Sequence, residues 1–154
     1  MARMIKGGSN LSYQALSLMS RLFYEKFGED ALPTIKDVWY EMGLAAGDRL
    51  KEKLPKHDFE AVAHALSAMD NLQGERVPCE ISDKLYHVTS EAGYSCDVGL
   101  GNSGRPICEA VMTVNQGYFN SICGRDVEMN IVQSVAAGDP CCEIVYRPID
   151  SFDD

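Results

Sequence analysis

The chain has 154 residues, 45% hydrophobic and 24% charged, with a formal net charge of -9. A domain of that size hides roughly two-thirds of its unfolded surface, so one core without staples is expected, and residues 1–154 read as a single domain. The acidic balance and scattered Lys and Arg oppose a nucleic-acid partner, which draws on grouped cations.

No apolar run approaches the roughly 18 residues of a membrane helix, and the basic start Met1 to Gly8 has no apolar stretch of signal-peptide length behind it. A cytoplasmic protein away from membranes is the expectation. In that reducing setting the six cysteines are expected as thiols serving core, ligand or nucleophile roles.

Residues 1–74 read as the helical part. Ser9 or Asn10 is suited to cap a first helix in which Leu11, Ala15, Leu18 and Leu22 recur on one face, with Met19, Phe23 and Phe27 beside them, until Gly28 ends it. That stripe is the expected core face. A second helix opens near Pro33 and carries Ile35, Trp39, Met42, Ala46, Leu50 and Leu54 until Pro55 stops it. Gly43 and Gly47 lie one turn apart on it. Each glycine in a helix interior costs up to about 1 kcal/mol relative to alanine, so the pair signals close approach of another element or a ligand. Asp58 caps a third helix with Phe59, Val62, Leu66 and Met69 on one face, ending before Gly74.

Residues 75–148 read as sheet plus one long helix. Cys79 and Ile81, then Tyr86 and Val88 facing opposite to Leu85, His87 and Thr89, describe a hairpin about Ser82-Asp83-Lys84. Gly99 to Gly104 forms a loop or lid, since it has neither the GxGxxG spacing nor the Lys-Ser/Thr of a phosphate cradle. Pro106 opens the fourth helix, striped by Ile107, Val111, Val114, Tyr118 and Ile122 and flanked by Cys108, Met112, Phe119 and Cys123; Gly124 closes it. Val127, Met129 and Ile131 alternate on one strand, Gly138-Asp139-Pro140 turns, and Cys142, Ile144 and Tyr146 alternate on the next. Residues 149–154 form an acidic tail expected to fray. The fold class is therefore α+β, with N-terminal helices packed on an antiparallel sheet interrupted by one long helix.

Four residues carry the candidate chemistry. Cys108 sits near the start of the fourth helix, where the helix dipole and nearby Arg105 favour a thiolate. Cys142 is the inward member of the Cys141-Cys142 pair, because neighbours on a strand point to opposite faces. His87 is the candidate base or ligand, while His57 and His64 fall at exposed-looking helix positions, and Asp139 is a turn residue or a proton carrier. Against each stands the plainer role of a buried thiol as a small hydrophobe. No CxxC spacing and no GxSxG elbow is present.

The stretch Val135-Ala136-Ala137-Gly138-Asp139-Pro140-Cys141-Cys142-Glu143-Ile144 resembles the C-terminal signature of the L-2-amino-thiazoline-4-carboxylic acid hydrolase family and of the related 4-vinyl-reductase-type domains, through Gly138, Asp139, Cys142 and Ile144. Phe27-Gly28-Glu29-Asp30-Ala31-Leu32, Tyr40-Glu41-Met42-Gly43 and Gly47 are similar to the hydrolase group. The resemblance implies an α+β fold, a homodimer, and a pocket between layers for a small organic ligand. It also implies a zinc position at Cys108, Ile131, Ser134 and Cys142, of which only Cys108 and Cys142 carry zinc-ligating side chains here. No cofactor is otherwise expected. Two functions follow: a cysteine-dependent hydrolase of a cyclic amidine or related C–N bond, using Cys142 or Cys108 with His87 or Asp139, or a non-catalytic binding domain for a small apolar or tetrapyrrole ligand.

Overall fold

The computed structural model describes residues 11–72, 77–93, 96 and 98–150. The expected caps Ser9 and Asn10, the Gly74 boundary and the last four residues of the tail lie outside them. The elements are α1 (Leu11–Phe27), a 3-10 turn at Gly28–Ala31, α2 (Leu32–Lys51), α3 (Phe59–Leu72), β1 (Val77–Ile81), β2 (Tyr86–Thr89), α4 (Arg105–Cys123), β3 (Val127–Gln133), a second 3-10 turn at Val135–Ala137, and β4 (Glu143–Pro148). The strands form an antiparallel sheet in the order β1-β2-β4-β3. This is the expected α+β architecture.

The centre of the molecule is α4. Ile107, Cys108, Ala110, Val111, Met112, Thr113, Val114, Gly117, Phe119 and Ile122 are all buried, so it is covered on nearly every side rather than along one stripe. Pro106 enters its first turn and Gly124 ends it in the left-handed region at φ 67°. One flank meets the sheet through a run of rings: Phe59 of α3 stacks on Phe119 at 4.8 Å, Phe119 lies 5.7 Å from Tyr146, and Tyr146 stacks on Tyr86 at 5.5 Å. Ring pairs of this kind add about 0.5–1.5 kcal/mol each beyond the area they bury.

The other flank meets α2, and here the glycine pair is explained as packing. A Cβ added at Gly43 would overlap the Val114 carbonyl oxygen, and one at Gly47 would fall 2.8 Å from the Ser121 Cβ. From the opposite side, a Cβ on Gly117 would sit 2.5 Å from the Tyr40 carbonyl oxygen. Thr113 Oγ1 donates to the Lys36 carbonyl at 3.0 Å and Ser121 Oγ to Asp48 Oδ1 at 2.5 Å, so the two backbones are fastened where they approach.

The first helix corrects an expectation. Its apolar stripe faces outward: Met19 is 69% exposed, Leu22 52%, Phe23 37% and Phe27 52%. The buried face is instead Gln14, Ser17 and Ser20, with Tyr13, Leu16 and Tyr24 packed beside them. The cause is Trp39, fully buried on α2, whose Nε1 donates to Ser20 Oγ at 2.8 Å while Tyr13 meets its ring edge-on at 5.3 Å. Ser17 and Ser20 also donate to the carbonyls of Tyr13 and Leu16, so these small hydroxyls are buried without loss of hydrogen bonds.

In α3 the Asp58 cap is present, its Oδ1 accepting from the Ala61 amide at 2.8 Å, and Phe59, Val62 and Leu66 are buried while Met69 is not. The first two tail residues are tied to the fold, since the Ile149 amide donates to the Asp126 carbonyl and Arg125 pairs with Asp150 at 3.0 Å. Among the described residues, no helix is long and apolar enough to cross a membrane.

Candidate functional site

Between the N-terminal half of α4, the inner face of the sheet and the loop that precedes α4 lies a small hollow. Its walls are the aliphatic side chains of Val98, Leu100, Met112, Ile131, Ala136 and Ile144, the thiols of Cys96, Cys108 and Cys142, and two polar residues, Gln133 and Ser134. Its open space is about 10 Å³, close to what one water molecule requires. Among the described residues no charged side chain lines it.

Two of the four candidate residues converge there. Cys108 comes from the first turns of α4 and Cys142 from the residue before β4; both are buried, and all six cysteines of the chain are thiols rather than disulfides. The Cys142 backbone is held on both sides by Ser90, whose amide donates to the Cys142 carbonyl while its hydroxyl accepts from the Cys142 amide, each at 2.8 Å. Arg105, expected beside Cys108, reaches elsewhere: its guanidinium donates to the Ile131 and Val132 carbonyls and lies 3.8 Å from Asp139. It closes the end of β3 over the first turn of α4.

His87 and Asp139 do not line the hollow. Pairing of Tyr86 with Tyr146 and of Val88 with Ile144 places those side chains on the buried face of the sheet and His87 on the opposite face. There His87 Nε2 lies 2.8 Å from Glu143 Oε1, and Gln133 Nε2 donates to Glu143 Oε2 at 3.0 Å. The Gln133 and His87 hydrogen bonds hold the Glu143 carboxyl below its ordinary range. A carboxylate stabilised in the folded state contributes stability that is complete above the unfolded value and lost as pH falls through the lower folded value. The melting temperature of wild type is therefore expected to drop more steeply below about pH 4.5 than that of Glu143→Gln; parallel acid profiles for the two proteins would remove this cluster from the acid response.

Asp139 acts on the backbone. Its Oδ2 accepts from the Ser134 amide at 2.8 Å, and the Ser134 carbonyl accepts from the amides of Ala137 and Asp139 at 3.0 and 3.1 Å, closing the turn between β3 and β4. Gly138 supplies the left-handed residue that turn needs, at φ 92°. The Gly104 amide donates to the Ala136 carbonyl at 2.8 Å, tying the preceding loop to the same turn.

The four positions at which the resemblance implies zinc ligands all reach the hollow: Cys108, Ile131, Ser134 and Cys142. Ile131 offers no donor atom and Ser134 a neutral hydroxyl, whereas a structural zinc site takes four ligands drawn from thiolates, imidazoles and carboxylates. Among the described residues no group of three or more His, Cys, Asp or Glu is placed to hold a metal ion. The residues present do not fit zinc.

Three polar or thiol residues of the wall were absent from the candidates read in the sequence. Cys96 and Gln133 were not singled out for the hollow, and Ser134 entered only as a lost ligand position. The signal for Ser134 was its place in the resemblance; the irregular register between Ile131 and Gln133 hides it from simple alternation.

Comparison with known proteins places the fold. No family model matches the chain, and no curated protein matches it by sequence. Among solved structures it is similar to the phenol-responsive sensory domain of the transcription activator PoxR with phenol, at TM-score 0.62 and 16% identity over 92% of this chain and 77% of that one. It is also similar to a trafficking protein particle complex subunit 3 from Naegleria fowleri covalently bound to palmitic acid, at TM-score 0.61 and 13% identity over 95% of this chain and all of the other. The chain shares with both a small α+β fold.

Proposed function

We propose that this protein is a binding domain for a small organic molecule held in the hollow between α4, the sheet and the loop before α4. The observation that carries this reading is the wall itself: aliphatic and thiol side chains from three separate elements converge on one enclosed space at the heart of the fold. Two proteins of the same fold hold a phenol and a palmitic acid, which supports a small organic ligand here. The hollow has room for about one water, so a larger ligand requires its wall residues to move apart.

A hydrolase reading rests on Cys108 and Cys142 flanking the same space. It is weaker, since no general acid or base among the described residues lines the hollow and a thiol nucleophile draws on one. One experiment separates the two. Thermal shift against a panel of neutral alcohols, phenols and fatty acids is expected to raise the melting temperature for at least one class, with Leu100→Trp abolishing the shift. An unmoved panel together with turnover of 2-aminothiazoline-4-carboxylate that is lost in Cys142→Ala would replace the binding reading by the enzymatic one.

The outward apolar face of α1 supports a homodimer built on this helix. Met19, Leu22, Phe23 and Phe27 form a contiguous stripe with Val38 of α2 also exposed, and Phe23 and Phe27 meet edge-on at 5.0 Å. Patches of this kind mark association surfaces on soluble chains. A two-fold axis at Phe23 would set α1 antiparallel to its copy, placing Met19 opposite Phe27.

A further inference from the structure

Ser134 is 0% exposed, and its hydroxyl has no hydrogen-bond partner among the described residues. It lines the hollow. A buried hydroxyl without a partner carries a free-energy cost, and native proteins rarely leave one in place without a use for it. The backbone beneath it offers little relief by moving. Ser134 is extended at φ −140° and ψ 123°, its amide is taken by Asp139 and its carbonyl by Ala137 and Asp139. The hydroxyl is thus fixed beside a space otherwise walled by aliphatic carbon, sulfur and the Gln133 side chain, whose amide nitrogen is committed to Glu143.

We infer that Ser134 is the polar anchor of the site, and that the ligand is a small neutral molecule with an aliphatic body and one hydroxyl or carbonyl group set against Ser134 Oγ. This rests on the binding reading above and specifies it. Neutrality follows from the wall: among the described residues no countercharge lines the hollow, and a charge placed there would go uncompensated. A single polar group follows from a single unpartnered hydroxyl, which donates to a carbonyl or accepts from an alcohol equally well. The aliphatic body follows from Val98, Leu100, Met112, Ile131 and Ile144, with the three thiols giving soft, polarizable contacts. Asp139 is then a positioning residue, holding the amide of Ser134 so that its side chain faces the ligand.

The test compares cyclohexanol with methylcyclohexane, which has a methyl group in place of the hydroxyl, by amide-shift titration of wild type, Ser134→Ala and Ser134→Cys. A methyl group enters an apolar site more readily than a hydroxyl whatever the protein, so the readout is the ratio of the two affinities compared between proteins: Ser134→Ala is expected to shift it about tenfold toward methylcyclohexane, the scale of one hydrogen bond made in a buried site. Ser134→Cys keeps the shape with a weaker donor and is expected to fall between. The unliganded Ser134→Ala protein is expected to melt about 2–4 °C higher than wild type, because it no longer buries an unpaired hydroxyl. A serine with a merely structural role would give the opposite sign. A ratio that is unchanged in Ser134→Ala, or a lower melting temperature in that variant, overturns the anchor while leaving the binding reading in place. Failure of both probes to move the signals of Cys108, Met112 and Cys142 in wild type overturns the reading and the anchor together.

Discussion

Gly43→Ala lowers the stability of the fold by at least about 3 kcal/mol, a large part of the 5–15 kcal/mol typical of a native domain. On an isolated helix the same change would stabilise by about 1 kcal/mol, because alanine is the better helix former. The sign reverses because the new methyl would occupy the position of the Val114 carbonyl oxygen. Backbone cannot rotate away as a side chain can. Either α2 and α4 separate along their whole contact, losing the Thr113–Lys36 and Ser121–Asp48 hydrogen bonds, or the helix distorts locally. The control is Ala45→Gly on the exposed side of the same helix, expected to cost only about 1 kcal/mol. Urea unfolding followed by far-UV circular dichroism measures both; a Gly43→Ala midpoint at or above wild type would mean that the two helices do not approach this closely in solution.

Phe23→Asp is expected to convert the proposed homodimer into a monomer with its fold intact. On the proposed axis the two Phe23 side chains face each other, so the variant sets two carboxylates together in an apolar seam. An uncompensated buried charge costs several kcal/mol, so the dissociation constant is expected to rise by at least about 100-fold. In the separated chain Phe23 is 37% exposed, and its replacement there disturbs little of the core. Light scattering across a dilution series gives the mass, and the melting profile of the diluted variant shows that the fold is retained. Wild type that is monomeric at high concentration, or a variant that stays dimeric, would assign the exposed stripe to some other role.

The first helix shows what periodicity in a sequence reveals and what it leaves out. The spacing of Leu18, Met19, Leu22 and Phe23 identifies a helix and an apolar face correctly. It does not say what covers that face. The inward side is selected by a hydrogen bond between Trp39 and Ser20 across nineteen positions, a relation that no local window contains. The glycine pair on α2 was legible because its message is steric: a missing side chain, repeated one turn later, leaves room for a backbone. The candidate site was legible by half. The convergence of Cys108 and Cys142 on the hollow was legible because one starts a strongly patterned helix and the other precedes a strongly alternating strand. Cys96 sits where no pattern exists to be read, and the irregular β3–β4 register conceals Ser134. His87 was given its correct face of the sheet, but the layer covering the other face decides where the hollow forms.

The partnership of α2 with α4 also sets an order of events in the cell. Gly43 and Val114 meet in the folded chain but are about seventy positions apart along it. At synthesis rates of about 5–20 residues per second, the notch on α2 waits roughly 4–14 s at the ribosome before the segment that fills it has been made. Throughout that interval Trp39 and its neighbours lack the rod around which they finally assemble, and the nascent chain is at its stickiest.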